Sequence, residues 1–527
     1  MILLRLARRW WRQLTSMRTA LLLLFLLAVA AAPGSMFPQR NLGAEKVDAY
    51  YAANPALAPW LDRVDLFDVY ASPWFGAIYL LLMTSLIGCL LPRLRDHATA
   101  LRRRPPQAPR HLSRLSAHAR LGTSALDAVE AAGRLRMVLS QRRYRVALHA
   151  GTDGHVSIAA EKGHLRETGN LLFHFALLAL LVGVAAGYGW GWYGNRLLVA
   201  GPDTGFCTGV QQFDEYGLGP RINATDVPGY CFELQRFTAE FLDNGQPTVF
   251  RADVTWSTVD GRPESAGLQV NDPLRLGDAT MYLLGHGYAP VLRYTDRAGR
   301  AQTSVTPFLP VDGMLTSDGV VLFPDANADT RTGKRSSDAQ VGFSGVFMPT
   351  AGAAAVSAYP GERDPVVILN AYRGDLGLDS GIAQSVYQLP RRPLADGRLQ
   401  QIPGRATTLR PGERWTLDDG STLEFVGTRR WITVTVRDDP GEPIVLAAAV
   451  ALLAGLLCSL SVRRRRVWFR VTPGPDGCSV EAAGLPRTDY SGFRAEFAAI
   501  VAAGRTAAGT RGDAQPVGVG TAEREPW

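Results

Sequence analysis

Four stretches of the chain are dominated by apolar residues for long enough to leave water: Thr19–Ala32, Trp74–Leu91, Leu171–Trp190 and Ile444–Val462. The last three run for 18 to 20 residues without Asp, Glu, Lys or Arg, close to the about 20 residues that cross a hydrocarbon core. The first is shorter, yet Met17 to Phe37 carries only Arg18 and reaches the same length. The pattern predicts spans at 17–37, 74–91, 170–190 and 443–462. Between the second and third, Ala125, Val129, Leu135 and Val138 recur at helical spacing. Ser124 is a candidate N-cap there, with Asp127 three residues on. Strands Tyr144–His149 and His155–Ala160 follow around Gly151-Thr152-Asp153-Gly154, a hairpin signal. After the last span the order reverses: Val467–Val471 and Cys478–Glu481 around Pro473–Gly477, then a helix over Ser491–Ala502. Two strands alone are marginal in water, so the two pieces are expected to combine into one small α+β domain (92–169 with 463–505). The Gly-, Ala- and charge-rich tail from about Thr506 is expected to be disordered.

The long segment 191–442 changes to period two. Phe250, Ala252, Val254 and Trp256 alternate with polar residues, and turns stand at Asp260–Pro263, Asp296–Arg300 and Asp418-Asp419-Gly420. Ala279–Leu284 and Val291–Thr295 flank Gly285-His286-Gly287-Tyr288, which reads as a turn. Many short strands predict an antiparallel sandwich or two stacked sheets. Residues 38–73 form a short loop with helices at Ala44–Ala53 and Pro55–Val64. Residues 1–16, rich in Arg and Trp, suit a surface-lying start anchored by Trp10 and Trp11.

Charge orients the spans. Residues 1–18, 92–169 and 463–527 carry a net +17 and the remainder −9, so the first set is placed inside. The expected architecture is an integral membrane α-helical protein of four spans in the plasma membrane, both termini cytoplasmic. A large extracytoplasmic β-rich domain and the small cytoplasmic α+β domain complete it. The sequence pI of 9.3 then reports arginines beside an anionic membrane surface, such as Arg463–Arg466, rather than a nucleic-acid partner. Basic residues before a run ending Ala30-Ala31-Ala32 also fit a cleavable signal peptide, which would leave three spans.

Cys207 and Cys231 alone fall outside, where disulfides persist. Their separation of 24 residues suits a structural bridge and is unlike a redox Cys-x-x-Cys; two free thiols and a redox role are the remaining alternatives. Six of the eight histidines lie in the inner loop among arginines (His97, His111, His118, His149, His155, His164) and read as solvated. His174 sits inside the third span, where an ionisable group faces a partner or cavity. Interhelical hydrogen bonding, metal ligation and proton transfer all suit an imidazole there. His286, between glycines, reads as a surface histidine on a turn, with a functional site as the alternative. No Walker loop, Cys-x-x-Cys-His or His-Glu-x-x-His occurs. An enzyme acting alone is therefore disfavoured.

Several segments resemble one family in wording. They are Ser16–Ala20 leading to Pro33-Gly34-Ser35 and Pro38-Gln39, then Leu66–Tyr70 with Ser72-Pro73-Trp74-Phe75, then Gly88-Cys89 to Pro92-Arg93, Gly169–His174, and Leu284–Pro290. They resemble the ResB family of cytochrome c biogenesis proteins of the system II pathway. The resemblance implies a second membrane protein of the ResC/CcsA type as partner, with haem b carried outward and attached to apocytochrome c. It also implies a thioredoxin-like reductant in the pathway. It makes His174 a candidate axial ligand of haem iron, with Arg166 two turns earlier as a candidate propionate contact or a surface anchor; His286 ranks below His174. The competing reading is a scaffold that holds apocytochrome c or the partner without ligating haem itself.

Overall fold

The computed structural model describes residues 2–40, 44–151, 154–202, 204–259, 261–328, 336–378, 388–487 and 491–511. It contains helices α1 (Ile2–Leu14), α2 (Met17–Met36), α3 (Ala44–Ala53), α4 (Ala58–Arg63), α5 (Pro73–Arg102), α6 (Ala128–Gln141), α7 (Leu165–Trp190), α8 (Arg391–Ala395), α9 (Glu442–Ser461) and α10 (Phe493–Ala508). The chain divides into two compact units, residues 1–185 with 441–527, and residues 186–440.

In the first unit, α2, α5, α7 and α9 are long and apolar enough to cross a membrane. Their large side chains face outward: Leu22, Phe25, Leu446, Leu453 and Leu457 are each more than half exposed, as suits a surface solvated by lipid. Contacts between the helices use small residues instead. A Cβ on Gly169 would lie 2.8 Å from the Gly455 carbonyl oxygen, and one on Gly455 2.6 Å from the Phe173 nitrogen. The α7 and α9 backbones therefore touch there, the close approach that small residues permit in lipid. A third glycine, Gly183, meets Val445 of α9 in the same way. The Tyr79 hydroxyl of α5 donates to the Leu181 carbonyl of α7. Helix α5 runs to Arg102 through Pro92, well beyond the apolar run that ends at Leu91.

The same unit holds a five-stranded antiparallel sheet in the order Ala117–Ser124, Gly477–Pro486, Arg465–Gly474, Val156–Lys162, Arg145–Ala150. The two strands after α9 thus lie between strands that precede α7. Helices α6 and α10 cover one face around Leu135, Phe469, Phe497 and Ile500, all fully buried. The other face carries Trp468 and Ala483 under Leu112. Trp468 Nε1 donates to the Pro106 carbonyl at 2.9 Å, so the Arg/Pro stretch after α5 is held against the sheet.

Three expectations for this unit change. Ala117–Ser124 is a strand the sequence reading left out, although Ala117, Ala119 and Leu121 alternate with His118 and Arg120. The N-cap of α6 is Asp127, whose carboxylate accepts from Val129 and Glu130 nitrogens at 2.8 and 2.7 Å; Ser124 instead donates to the Ala508 carbonyl at 2.5 Å. Helix α10 continues to Ala508 and Arg511 bridges Thr123, so 506–511 are ordered by the sheet edge; residues 512–527, and Thr152-Asp153 of the hairpin, lie outside the described residues.

The second unit is β-rich, with sheets of seven, six and four strands. Two strands of 17 residues, Ala279–Thr295 and Thr422–Asp438, pair from Thr280 opposite Arg437 to Thr295 opposite Thr422. One half contributes Ala279, Met281, Ile432 and Val434 to a core shared with Phe232 and Val254 of the four-stranded sheet. The other half contributes Tyr288, Leu292, Leu423 and Phe425 to a core shared with Val321, Phe343 and Val367 of the six-stranded sheet. One strand pair therefore backs two sandwiches. Each strand carries one register shift, at Leu283/Gly285 and at Val291/Leu292 opposite Gly427/Phe425. The extra residue changes which parity faces inward: Met281 and Leu283 before the first shift, Tyr288 and Leu292 after it. The Gly285–Tyr288 stretch is accordingly not a turn but the middle of a strand. Gly287 is needed for approach, because a Cβ there would lie 2.5 Å from the Trp431 indole. That indole donates from Nε1 to the Tyr288 and Phe308 carbonyls at 3.0 and 3.2 Å.

Candidate functional site

Helix α7 sets the position of His174. The residue is the tenth of the helix, about 14 Å along the axis from its start at 1.5 Å per residue, and it is half-buried. Its Nδ1 lies 2.7 Å from the Asn170 carbonyl oxygen, one turn back. A carbonyl can only accept, so Nδ1 carries the proton. In the neutral ring Nε2 then keeps its lone pair. A carbonyl-bound imidazole is how metal-ligating histidines are commonly oriented. The Phe173 ring lies edge-on at 5.3 Å. Among the described residues no group of three or more His, Cys, Asp or Glu gathers into a metal site. His174 thus offers a single imidazole nitrogen, and the described residues around it do not form a closed protein-only metal centre.

A buried polar network that no local sequence pattern announces fixes the base of α7. Arg464, at 7% exposure, follows α9 and reaches two carboxylates: Glu161 at 2.6 Å and Glu167 in the first turn of α7. Arg466 adds a contact to Glu161 at 3.1 Å. Burial opposes ionisation of Glu161, but Arg464 and Arg466 outweigh it and hold its carboxyl below the usual range. His97 of α5 is buried rather than solvated; its Nε2 is 3.0 Å from Thr168 Oγ1 and its Nδ1 3.5 Å from Glu167. His164 lies 3.6 Å from Glu161, and burial lowers its pKa. His118 is lowered by burial as well, and His149 contacts the Pro105 carbonyl at 3.1 Å. Four of the six inner-loop histidines are therefore parts of the fold. The missed signal was the pairing of Arg464 with acids 300 residues away in sequence, invisible to local pattern. Arg166 is half-buried two turns before His174 and joins no ion pair among the described residues.

In the second unit His286 lies where the two cores meet. Its ring is 4.6 Å from Phe250, 5.1 Å from Phe237 and 6.3 Å from Phe241. Burial among these rings, with Arg430 adding repulsion, lowers its pKa from 6.5 to about 4. The expected surface histidine on a turn is instead a neutral, half-buried ring in a phenylalanine cluster, far along the chain from His174. The structure joins Cys207 to Cys231 in a disulfide between directly paired positions of strands Phe206–Cys207 and Tyr230–Phe241.

A sequence model of the ResB-like family matches residues 17–498, from α2 into α10. The chain belongs to the ResB-like family. Relatives of this ResB-like chain bear the name cytochrome c biogenesis protein CcsB. The one from Thermosynechococcus vestitus is 25% identical over 472 residues, which is 88% of this chain and 89% of that protein. The one from Synechococcus sp. (strain CC9311) is 25% identical over 515 residues, 94% of this chain and 97% of that protein. The one from Gloeobacter violaceus is 23% identical over 508 residues, 94% and 90%. The match thus covers both units of the ResB-like chain, not the apolar helices alone.

Proposed function

We propose that this ResB-like chain is a membrane component of cytochrome c assembly that carries haem outward. A ResC/CcsA-type membrane protein is the partner and apocytochrome c the recipient. The name of the relatives supports the process. The observation that carries the haem role is the His174 imidazole: Nδ1 is tied to the Asn170 carbonyl, and Nε2 has no hydrogen-bond partner among the described residues. Neutral imidazole is an ordinary axial ligand of haem iron. Haem is cargo here; this chain's residues orient one ligand, and the partner supplies the second. The charge asymmetry supports placing α1, the five-stranded sheet and both termini in the cytoplasm, with residues 191–442 outside the plasma membrane. His174 then enters the membrane from the side on which haem is made.

The test is co-purification of the chain with its partner, followed by visible spectra of wild type and His174→Ala. A Soret band in wild type that is lost or shifted in the variant supports ligation by His174. An unchanged band assigns haem to the partner and leaves this chain as a scaffold for apocytochrome c. A stable complex without haem in wild type overturns the carrier role.

A further inference from the structure

Beyond the haem role, we propose that the cleft where α7 begins and α9 ends binds the phosphodiester headgroup of an anionic phospholipid. The cleft measures about 580 Å³, and Leu165, Ser461, Arg143, Lys162, Arg463 and Arg465 are among its lining residues. No acidic residue lines it. Leu165 is the first residue of α7 and Ser461 the last of α9, both helices of spanning length. The cleft therefore lies where two spans leave the hydrocarbon, at the level of headgroups rather than of acyl chains.

Two of its basic groups, Arg143 and Lys162, carry the part of the charge on which a ligand could act. Arg465 is held by Glu496 at 2.8 Å, beyond the rim. Among the described residues Arg143 and Lys162 pair with no carboxylate. Lys162 donates to the Arg142 carbonyl at 2.8 Å, which occupies one of the three donors of its ammonium. Arg143 is exposed at the rim and sits at φ 59, an unusual conformation for a side-chain-bearing residue. The turn that fixes it is closed by its own N–H on the Ser140 carbonyl at 2.9 Å. Gly163 stands at φ 100 against the Arg463 carbonyl, where any side chain would collide; this brings the strand-to-helix and helix-to-strand junctions together as the cleft floor. Fixed basic groups at the end of a span attract anionic lipid more than zwitterionic lipid, and the volume falls in the range of small-ligand sites.

Full-length protein, stripped of lipid in detergent, is titrated with short-chain phosphatidylglycerol or phosphatidylcholine and read by native mass spectrometry. The expected result is one saturable phosphatidylglycerol adduct, with binding about tenfold or more weaker in Arg143→Gln/Lys162→Gln and retained in Arg143→Lys/Lys162→Arg. Equal binding of the two lipids, or an unchanged affinity in the Gln variant, overturns the proposal. Displacement of the adduct by millimolar inorganic phosphate assigns the cleft to a soluble phosphate and also overturns the lipid. Should the double Gln variant melt well below wild type, Arg143→Gln alone, at the exposed rim, gives the same reading. His174→Ala is expected to bind phosphatidylglycerol normally, which separates this result from the haem test.

Discussion

His174 and His286 both sit in apolar surroundings, yet the two regions use imidazole differently. On α7 the ring is half-buried, one nitrogen is bound to a backbone carbonyl and the other is left with its lone pair. On the long strand the ring packs against three phenylalanines and is pushed towards neutrality by burial. The comparison separates two settings for an imidazole: one with the proton fixed on one nitrogen and the other nitrogen left without a partner among the described residues, and one packed among aromatic rings.

The comparison breaks most directly at the haem spectrum. His174→Ala is expected to remove most of the Soret band of the purified complex, and His286→Ala to leave its position and intensity unchanged. Equal loss in both variants would mean that the two rings share one role. Next in size is the frame beneath α7. Arg464→Leu leaves Glu161 buried with Arg466 and His164 as its remaining partners and is expected to cost about 3–5 kcal/mol, measured by thermal unfolding of the detergent-solubilised chain. A cost below about 1 kcal/mol would show that the network does not hold the helix.

His286 gives a pH signature of its own. Its folded pKa is about 4 against an ordinary 6.5, so between those values the unfolded chain takes up a proton that the folded one refuses. Stability of residues 186–440 is full above pH 6.5 and falls as pH drops through the window, by up to about 3 kcal/mol. Amide exchange of strand Ala279–Thr295 in the intact protein at pH 7 and pH 5 reports the change, and His286→Phe is expected to flatten it. A slope that persists in the Phe variant would assign the effect elsewhere. Smallest is the cap of α6: Asp127→Ala is expected to cost about 1 kcal/mol, whereas Ser124 should leave the start of that helix unaffected.

The four apolar helices were legible because a long run without charge has one physical use. The two cytoplasm-assigned pieces were also legible as strands and helices, since Val467–Val471 and Phe493, Phe497, Ile500 keep strict periods. Ala117–Ser124 was not, because its inward residues are mostly alanines, too weakly hydrophobic to announce a strand. Gly285–Tyr288 misled for another reason. Glycine serves both turns and close approach, and only the Trp431 indole opposite Gly287 decides between them. At the site, His174 stood out as the one imidazole inside an uncharged apolar run of the sequence. The orientation of its ring depends on the carbonyl of Asn170, and the Arg464 network on partners about 300 residues distant; neither leaves a local trace.

The interleaved five-stranded sheet has a consequence for the order of synthesis. Its two central strands, Arg465–Gly474 and Gly477–Pro486, emerge only after the last apolar helix has been made. Until then Ala117–Ser124 on one side and Val156–Lys162 on the other have no neighbour between them and no common core. A ribosome that stops short of α9 therefore releases a chain whose first half cannot close, with open strand edges available to quality-control factors. The sheet can close only once the last of the four apolar helices has been made.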